Sequence, residues 1–171
     1  MSKIHVCPLS DLNATLVSSG ARHMISLMGP GKASVRPKQI DGSFLAMEFH
    51  DIGEPREGLS PPTSAHVSQL LEFFDAWDGK SDMLIHCWMG ISRSTAAAAI
   101  ALTRNQPASD MDQLAERLRR ASPMATPNPL MISIADDLLH LNGRLRSAIA
   151  AIGRGAEASQ GQPFALDLRH D

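Results

Sequence analysis

The stretch from Met83 to Leu102, MLIHCWMGISRSTAAAAIAL, decides how the rest of the chain is read. A short apolar run ends on Cys87. Gly90, Ser92, Arg93 and Ser94 follow at once, and then comes an almost uncharged, alanine-rich segment. The run DMLIHC has the length and composition of a buried strand. The segment from Ser92 to Thr103 has hardly any polar face, which for a helix of this length means burial on most sides. Between them CWMGIS has to be a tight turn. Its amide N–H groups serve neither element, and the first N–H groups of the helix are free as well. Gly90 permits the backbone to curl, and the helix N-terminus contributes roughly half a positive charge. Such a hollow is an anion cradle.

The same field acts on the sulfur. A thiol that titrates near ~8.5 in peptides falls to ~3.5–7.5 in such surroundings, which predicts a Cys87 thiolate at neutral pH with no separate base. Arg93 lies six positions on, where a curled loop brings its guanidinium to the anion above the sulfur. Its planar fork pairs with two phosphate oxygens at once, which a lysine could not do. Ser94 can donate a hydroxyl hydrogen bond to the sulfur as it leaves. The amides of Trp88, Met89, Gly90, Ile91, Ser92 and Arg93 supply the oxyanion site. The chemistry expected is attack of thiolate on phosphorus, followed by hydrolysis of a phosphocysteine. Alone, Cys87 would read as a small buried hydrophobe and Arg93 as a surface ion pair. Their spacing, with Gly90 and Ser94, argues against both.

Outward from this stretch the chain alternates. KIHVC reads as a strand, LSDLNATLVSSG as a helix closed by Gly20, HMISLM as a second strand and FLAMEFHD as a third. ASVRPKQIDG and the proline-rich IGEPREGLSPP read as loops. Val67, Leu70, Leu71, Phe74 and Trp77 recur at helical spacing between Thr63 and Trp77. Beyond the central helix, Ser109 with Asp112 reads as a capping box for a helix that carries Met111, Leu114, Ala115 and Leu118. Asn128 and Pro129 suit the cap and first turn of another helix, with Ile134, Leu138, Leu141 and Leu145 as its apolar stripe. After about Ala148 the composition becomes small, polar and glycine-rich, so residues 148–171 read as a tail, partly ordered or docked through PFALDL. The expectation is a single α/β domain over residues 1–147, with a central, mostly parallel sheet of four to five strands flanked by helices.

The totals agree. A chain of 171 residues with 43% hydrophobic and 20% charged residues is the size of one well-cored domain. A formal charge of −2 without a basic cluster offers no footprint for nucleic acid. No apolar run approaches the ~18 residues of a membrane span and no signal-peptide layout opens the chain, which predicts a cytoplasmic protein without a membrane partner. The two cysteines, Cys7 and Cys87, form no disulfide framework. His5 and Cys7 with His86 and Cys87 lack the short paired spacing of a metal site, so neither metal nor cofactor is expected.

HCWMGISRS resembles the signature loop of the cysteine-based protein tyrosine phosphatases: His-Cys, five residues, Arg, then Ser or Thr. Its internal glycine and Ser-Arg-Ser are most similar to the dual-specificity branch. The resemblance extends more weakly over residues 1 to 145 and implies a phosphatase-like fold. It also implies a general-acid aspartate on a loop after an earlier strand. Asp51, 36 positions before Cys87, is the best match, with Glu48, Glu54 and Glu57 as competitors, Glu54 first among them. Asn128 matches an asparagine that braces the loop in that branch, a role that can coexist with the helix cap. His86 is expected to support the loop through hydrogen bonding. If the strand order is that of the family, Cys7 lies two strands from Cys87, about 9–10 Å away and beyond the ~7 Å limit for a disulfide.

The implied activity is a monomeric phosphatase acting on a phosphorylated protein, at phosphotyrosine and also phosphoserine or phosphothreonine, with phosphate, sulfate or vanadate able to fill the site. The absence of lysine from WMGIS disfavours a lipid phosphatase. Two other readings stay open: a phosphate-binding module without turnover, and a rhodanese-like sulfurtransferase.

Overall fold

The computed structural model describes residues 2–107 and 110–168. Five strands form one sheet: β1 (Lys3–Pro8), β2 (His23–Met28), β3 (Phe44–Glu48), β4 (Met83–Cys87) and β5 (Phe164–Asp167). Their order is β3-β2-β4-β1-β5, parallel throughout except for β5, which runs antiparallel along β1. The helices are α1 (Leu12–Ser19), α2 (Ser64–Ala76), α3 (Arg93–Asn105), α4 (Met111–Ala121), α5 (Pro129–Leu138) and α6 (Arg144–Ala151). This is the single α/β domain that the alternation of apolar runs predicts.

Strand alternation divides the core. Ile4, Val6, Ile25, Leu27, Met83, Ile85 and Cys87 face one side, where they pack with residues of α2 to α6. Cys7, Met24 and Leu84 face the other, against Leu16 of α1 and Ile40 of the loop after β2. Every residue of β4 is buried, His86 included, as a strand covered on both faces requires. Helix α3 is buried from Arg93 to Thr103. Its alanines, 96 to 99 and 101, let the sheet and the neighbouring helices approach closely. That packing carries the helix N-terminus to the end of β4.

Several expectations are corrected. Strand β1 is the immediate neighbour of β4, with Cys7 opposite His86 and Pro8 opposite Cys87, so the two strands are about 4.8 Å apart rather than two places removed. What separates the thiols is the sheet itself, since they point to opposite faces. The apolar stripe from Ile134 to Leu145 is divided, with Ile134 and Leu138 on α5, Leu141 in the connection and Leu145 on α6. The chain breaks after α5 through His140 and Asn142, with φ of 53° and 55°, and Gly143, with φ of 85°. The buried Asp136 carboxylate accepts the N–H groups of Gly143, Leu145 and Arg146 at 2.6, 2.8 and 3.0 Å, giving α6 its first-turn partners. Periodicity misses the break because Leu141 and Leu145 reach the same core from separate segments. Leu138 is rotated out, 37% exposed. Ser109 lies outside the described residues; Asp110 holds the N-cap of α4 and accepts the N–H of Asp112 at 2.9 Å. The C-terminal segment docks through PFALDL as expected: residues beyond Ala148 continue α6 and return as β5, an edge strand of the sheet.

Candidate active site

The loop from Trp88 to Ser92 joins β4 to α3, and its carbonyls are tied to the structure around it. Trp88 O accepts the N–H of Leu9 at 3.1 Å, and Met89 O accepts that of Gly161 at 2.8 Å. Ile91 O accepts the N–H of Thr126 at 2.9 Å, and Ser92 O accepts those of Ala96 and Asn128 at 2.9 and 3.2 Å. Among the described residues every peptide is trans. In a trans peptide C=O and N–H point opposite ways, so carbonyls turned outward leave the N–H groups of Met89, Gly90, Ser92 and Arg93 turned inward. Gly90 has φ of 69°, and a Cβ there would sit 2.7 Å from the nitrogen of Pro8. Only glycine fits both the angle and the space.

Cys87 lies at the bottom of this loop, 2% exposed. Its Sγ accepts the N–H of Gly90 at 3.3 Å and is 3.1 Å from Ser94 Oγ. Arg93, the first residue of α3, is 6% exposed. Its Nη1 donates to the Phe49 carbonyl at 2.9 Å, and its Nε, also buried, has no hydrogen-bond partner. That Nε is 4.0 Å from Asp51 Oδ2. Asp51 Oδ1 accepts from Ser92 Oγ at 2.7 Å and from Asn128 Nδ2 at 2.8 Å. Asn128, buried at 1% exposure, also donates to Ile52 O at 3.1 Å and caps α5 through the N–H of Met131 at 3.0 Å. One amide thus anchors the acidic loop and starts the helix. Glu54 pairs with Arg56 at 3.5 Å on the exposed loop. Trp88 and Met89 stand exposed at the rim, at 54% and 40%.

His86 differs from its expected role. Neither ring nitrogen has a hydrogen-bond partner in normal geometry. Burial drives its pKa down to about 4, only partly opposed by the nearby Cys87 backbone, with the Arg93 charge adding to the depression. It is a neutral buried ring beneath the loop. Cys7, on the far face of the sheet, has its thiol pushed up to about 11 by burial. His5 binds Asp82 at 2.7 Å, and among the described residues no three His, Cys, Asp or Glu side chains converge as a metal site.

Beside Asp51 and Ser92 opens a cavity of about 290 Å³, lined also by Thr126, Asn128, Arg154 and Glu157. Three features of this site have no signal in the spacing of the signature loop: the Ser92–Asp51 bond, the Phe49 carbonyl under Arg93, and the wall built from residues 154–158. Each joins segments far apart in sequence.

No protein-family model matches the chain, and no curated protein matches it. Solved structures do. That of DUSP15 superposes with a TM-score of 0.59 at 18% identity, over 91% of this chain and 94% of that one. The human tyrosine phosphatase-like serine/threonine/tyrosine-interacting protein gives 0.61 at 14% identity, over 81% and 92%. The Yvh1 phosphatase domain from Chaetomium thermophilum gives 0.58 at 17% identity, over 83% and 93%. The chain has the fold of the dual-specificity phosphatases. At these identities the likeness is one of fold. Within that phosphatase fold, the geometry around Cys87 carries the argument about chemistry.

Proposed function

We propose that the chain is a protein phosphatase that hydrolyses phosphomonoesters through a phosphocysteine on Cys87. The observation that carries this reading is the Arg93 side chain. It is buried, anchored at one end on Phe49 O, and leaves an unpartnered Nε beside a ring of inward amides. A buried donor without a partner costs about 1–3 kcal/mol, a cost that a bound oxyanion removes. A phosphate dianion over Cys87 would take its equatorial oxygens to the loop N–H groups and the guanidinium.

In the first step the Cys87 thiolate attacks phosphorus, the P–O bond to the leaving group breaks, and the leaving oxygen takes a proton from Asp51. Oδ1 of Asp51 is engaged twice, so Oδ2, on the Arg93 side, is the oxygen free to carry that proton. In the second step the Asp51 carboxylate takes a proton from water as that water attacks phosphorus. The P–S bond breaks and thiolate returns, stabilised by Gly90 N–H and Ser94 Oγ. The chemistry requires no cofactor. The open cavity beside Asp51 suits a residue flanking the phosphorylated side chain of a protein substrate, and phosphate, sulfate or vanadate would occupy the same cradle.

The test is release of p-nitrophenol from its phosphate by the wild type, Cys87→Ser and Asp51→Asn. Activity lost with Cys87→Ser and reduced with Asp51→Asn is expected. A wild type that binds phosphopeptide without turnover would replace the enzyme by a binding module, and thiosulfate sulfurtransferase activity alone would replace it by a sulfur carrier.

A further inference from the structure

The chain after α6 runs back across the loop that holds Cys87. Gly155 N–H donates to Thr126 Oγ1 at 3.1 Å and Ala156 N–H to Pro123 O at 2.9 Å, which pins the start of this segment beside the cavity. Its end is pinned by pairing of β5 with β1. Between these anchors Gly161 is buried and donates its N–H to Met89 O at 2.8 Å. The contact leaves no room for a side chain: a Cβ on Gly161 would sit 2.7 Å from Gly90 O and 3.3 Å from Met89 O.

The carbonyl that Gly161 holds belongs to the same peptide plane as the N–H of Gly90, the donor to Cys87 Sγ at 3.3 Å. That plane has little freedom on the opposite side, where Gly90 abuts the Cys7–Pro8 backbone. Rotating the plane by half a turn would aim the Met89 carbonyl at the sulfur and at any anion above it. An outward partner for Met89 O therefore fixes the sign of the dipole that the nucleophile meets.

We infer that Gly161 is a positioning residue for the phosphate loop: its N–H clamps the Met89–Gly90 peptide so that the Gly90 N–H faces the Cys87 thiolate and the bound phosphate. The C-terminal segment is thereby part of the phosphate-binding apparatus, though it lies outside the part of the sequence in which the signature is written. The inference rests on the reading of Cys87 as a thiolate nucleophile.

The experiment uses the full chain in three forms. One carries an amide-to-ester exchange at the Gln160–Gly161 linkage, introduced by semisynthesis, which removes the Gly161 N–H and adds no bulk. The second is Gly161→Ala. The third is Gln160→Ala, a control that removes an exposed bond to Asp11 Oδ2 at 3.3 Å without touching the loop. Alkylation of Cys87 by iodoacetamide is followed by mass spectrometry at about pH 6 and about pH 9, where thiolate supply does and does not limit an ordinary thiol. Thermal melts accompany each form.

Losing the clamp is expected to slow alkylation at the lower pH about ten-fold, the low end of the scale of one hydrogen bond to a charged group, and at the higher pH less than about two-fold. Inhibition by vanadate should weaken in step, and the control should match the wild type. A folded ester form that alkylates like the wild type at the lower pH overturns the inference. So does an equal loss at both pH values, which would mean altered access to the sulfur. Should Gly161→Ala fail to fold, the ester form decides. A wild type that turns over p-nitrophenyl phosphate while the ester form is unchanged defeats the clamp alone. A wild type without turnover, but with the pH-dependent loss, defeats the phosphatase reading and keeps the clamp.

Discussion

Replacement of Asn128 separates two jobs that one amide performs. Its Oδ1 caps α5 through Met131 N–H, and its Nδ2 is shared by Asp51 Oδ1 and Ile52 O. Asn128→Ala forfeits a cap worth about 1 kcal/mol and the two hydrogen bonds to the partly exposed Asp51 and Ile52, together about 1–2 kcal/mol more. At about 2–4 °C per kcal/mol for a domain of this size, the melting temperature should fall by about 5–10 °C. Asn128→Asp keeps an oxygen for the cap but sets a second carboxylate oxygen against Asp51, at a place where the amide donates across 2.8 Å. This variant isolates the displacement of Asp51 from the loss of the helix cap.

The kinetic signature follows from what Asp51 does. In Asn128→Ala the carboxylate keeps Ser92 Oγ and loses one of its two donors. Asp51 is about a third exposed, so the low end of a charged hydrogen bond applies, about 1.5 kcal/mol, or roughly ten-fold in a step that needs the acid. That loss should appear with phosphotyrosine or phosphoserine peptides, whose leaving groups need a proton. It should shrink to about three-fold or less with p-nitrophenyl phosphate, whose leaving group needs it little. Asn128→Asp should widen the gap between the substrates. Equal losses of kcat on both kinds of substrate, in either variant, would refute the assignment of Asp51 as the proton donor that Asn128 positions.

Arg93→Lys keeps the charge but loses the planar fork and the Nε, so kcat/KM should fall about 10²–10³-fold with a parallel loss of vanadate inhibition; near-wild-type inhibition would reject the clamp. His86 gives a pH test. Its pKa is 6.5 when unfolded and about 4 in the fold, so between those values the unfolded chain binds the extra proton. Stability is complete above about pH 6.5 and falls as pH drops toward 4, by up to about 3 kcal/mol, a slope that His86→Asn should remove in urea titrations. Retention of the whole slope in the variant would assign it to carboxylates instead. Cys7 should resist alkylation in the native protein and react only on unfolding, because it is buried with its thiol pushed up to about 11; native labelling of both cysteines would contradict its placement.

What was legible in the sequence is what depends on local pattern. The apolar run into Cys87, the glycine at 90 and the chargeless helix behind Arg93 predict a strand, a curled loop and a buried helix, and all three are present. Asn128-Pro129 marks a helix start for the same reason: a cap and a fixed φ act within one turn. Pairings between distant segments left no such trace. The adjacency of β1 and β4 is a matter of sheet order, which apolar periodicity does not encode. The break after Leu138 is held by Asp136 reaching seven to ten residues ahead, while the hydrophobic spacing runs on undisturbed. The one local hint there is Asn142-Gly143, a pair suited to left-handed backbone.

The anion cradle shows why that division matters. A strand–loop–helix peptide could place Cys87, Gly90 and Arg93 in order, and Thr95 Oγ1 and Ala96 N–H would hold the carbonyls of Ile91 and Ser92 from within it, but nothing inside it would hold those of Trp88 and Met89, and an unheld peptide could turn its oxygen inward. In the folded chain the other holders come from elsewhere. Leu9 is delivered because β1 runs parallel beside β4 and ends level with it. Thr126 is delivered by the connection from α4 to α5, and Gly161 by the return of the chain to β5. Arg93 is likewise aimed by a carbonyl, that of Phe49, just past β3. The sign of the field at the sulfur is therefore a property of the assembled sheet. A lesion in β1, in the segment around Thr126 or in the C-terminal strap should reach Cys87 through the peptide it holds, and lesions in two of these should compound where they act on neighbouring planes.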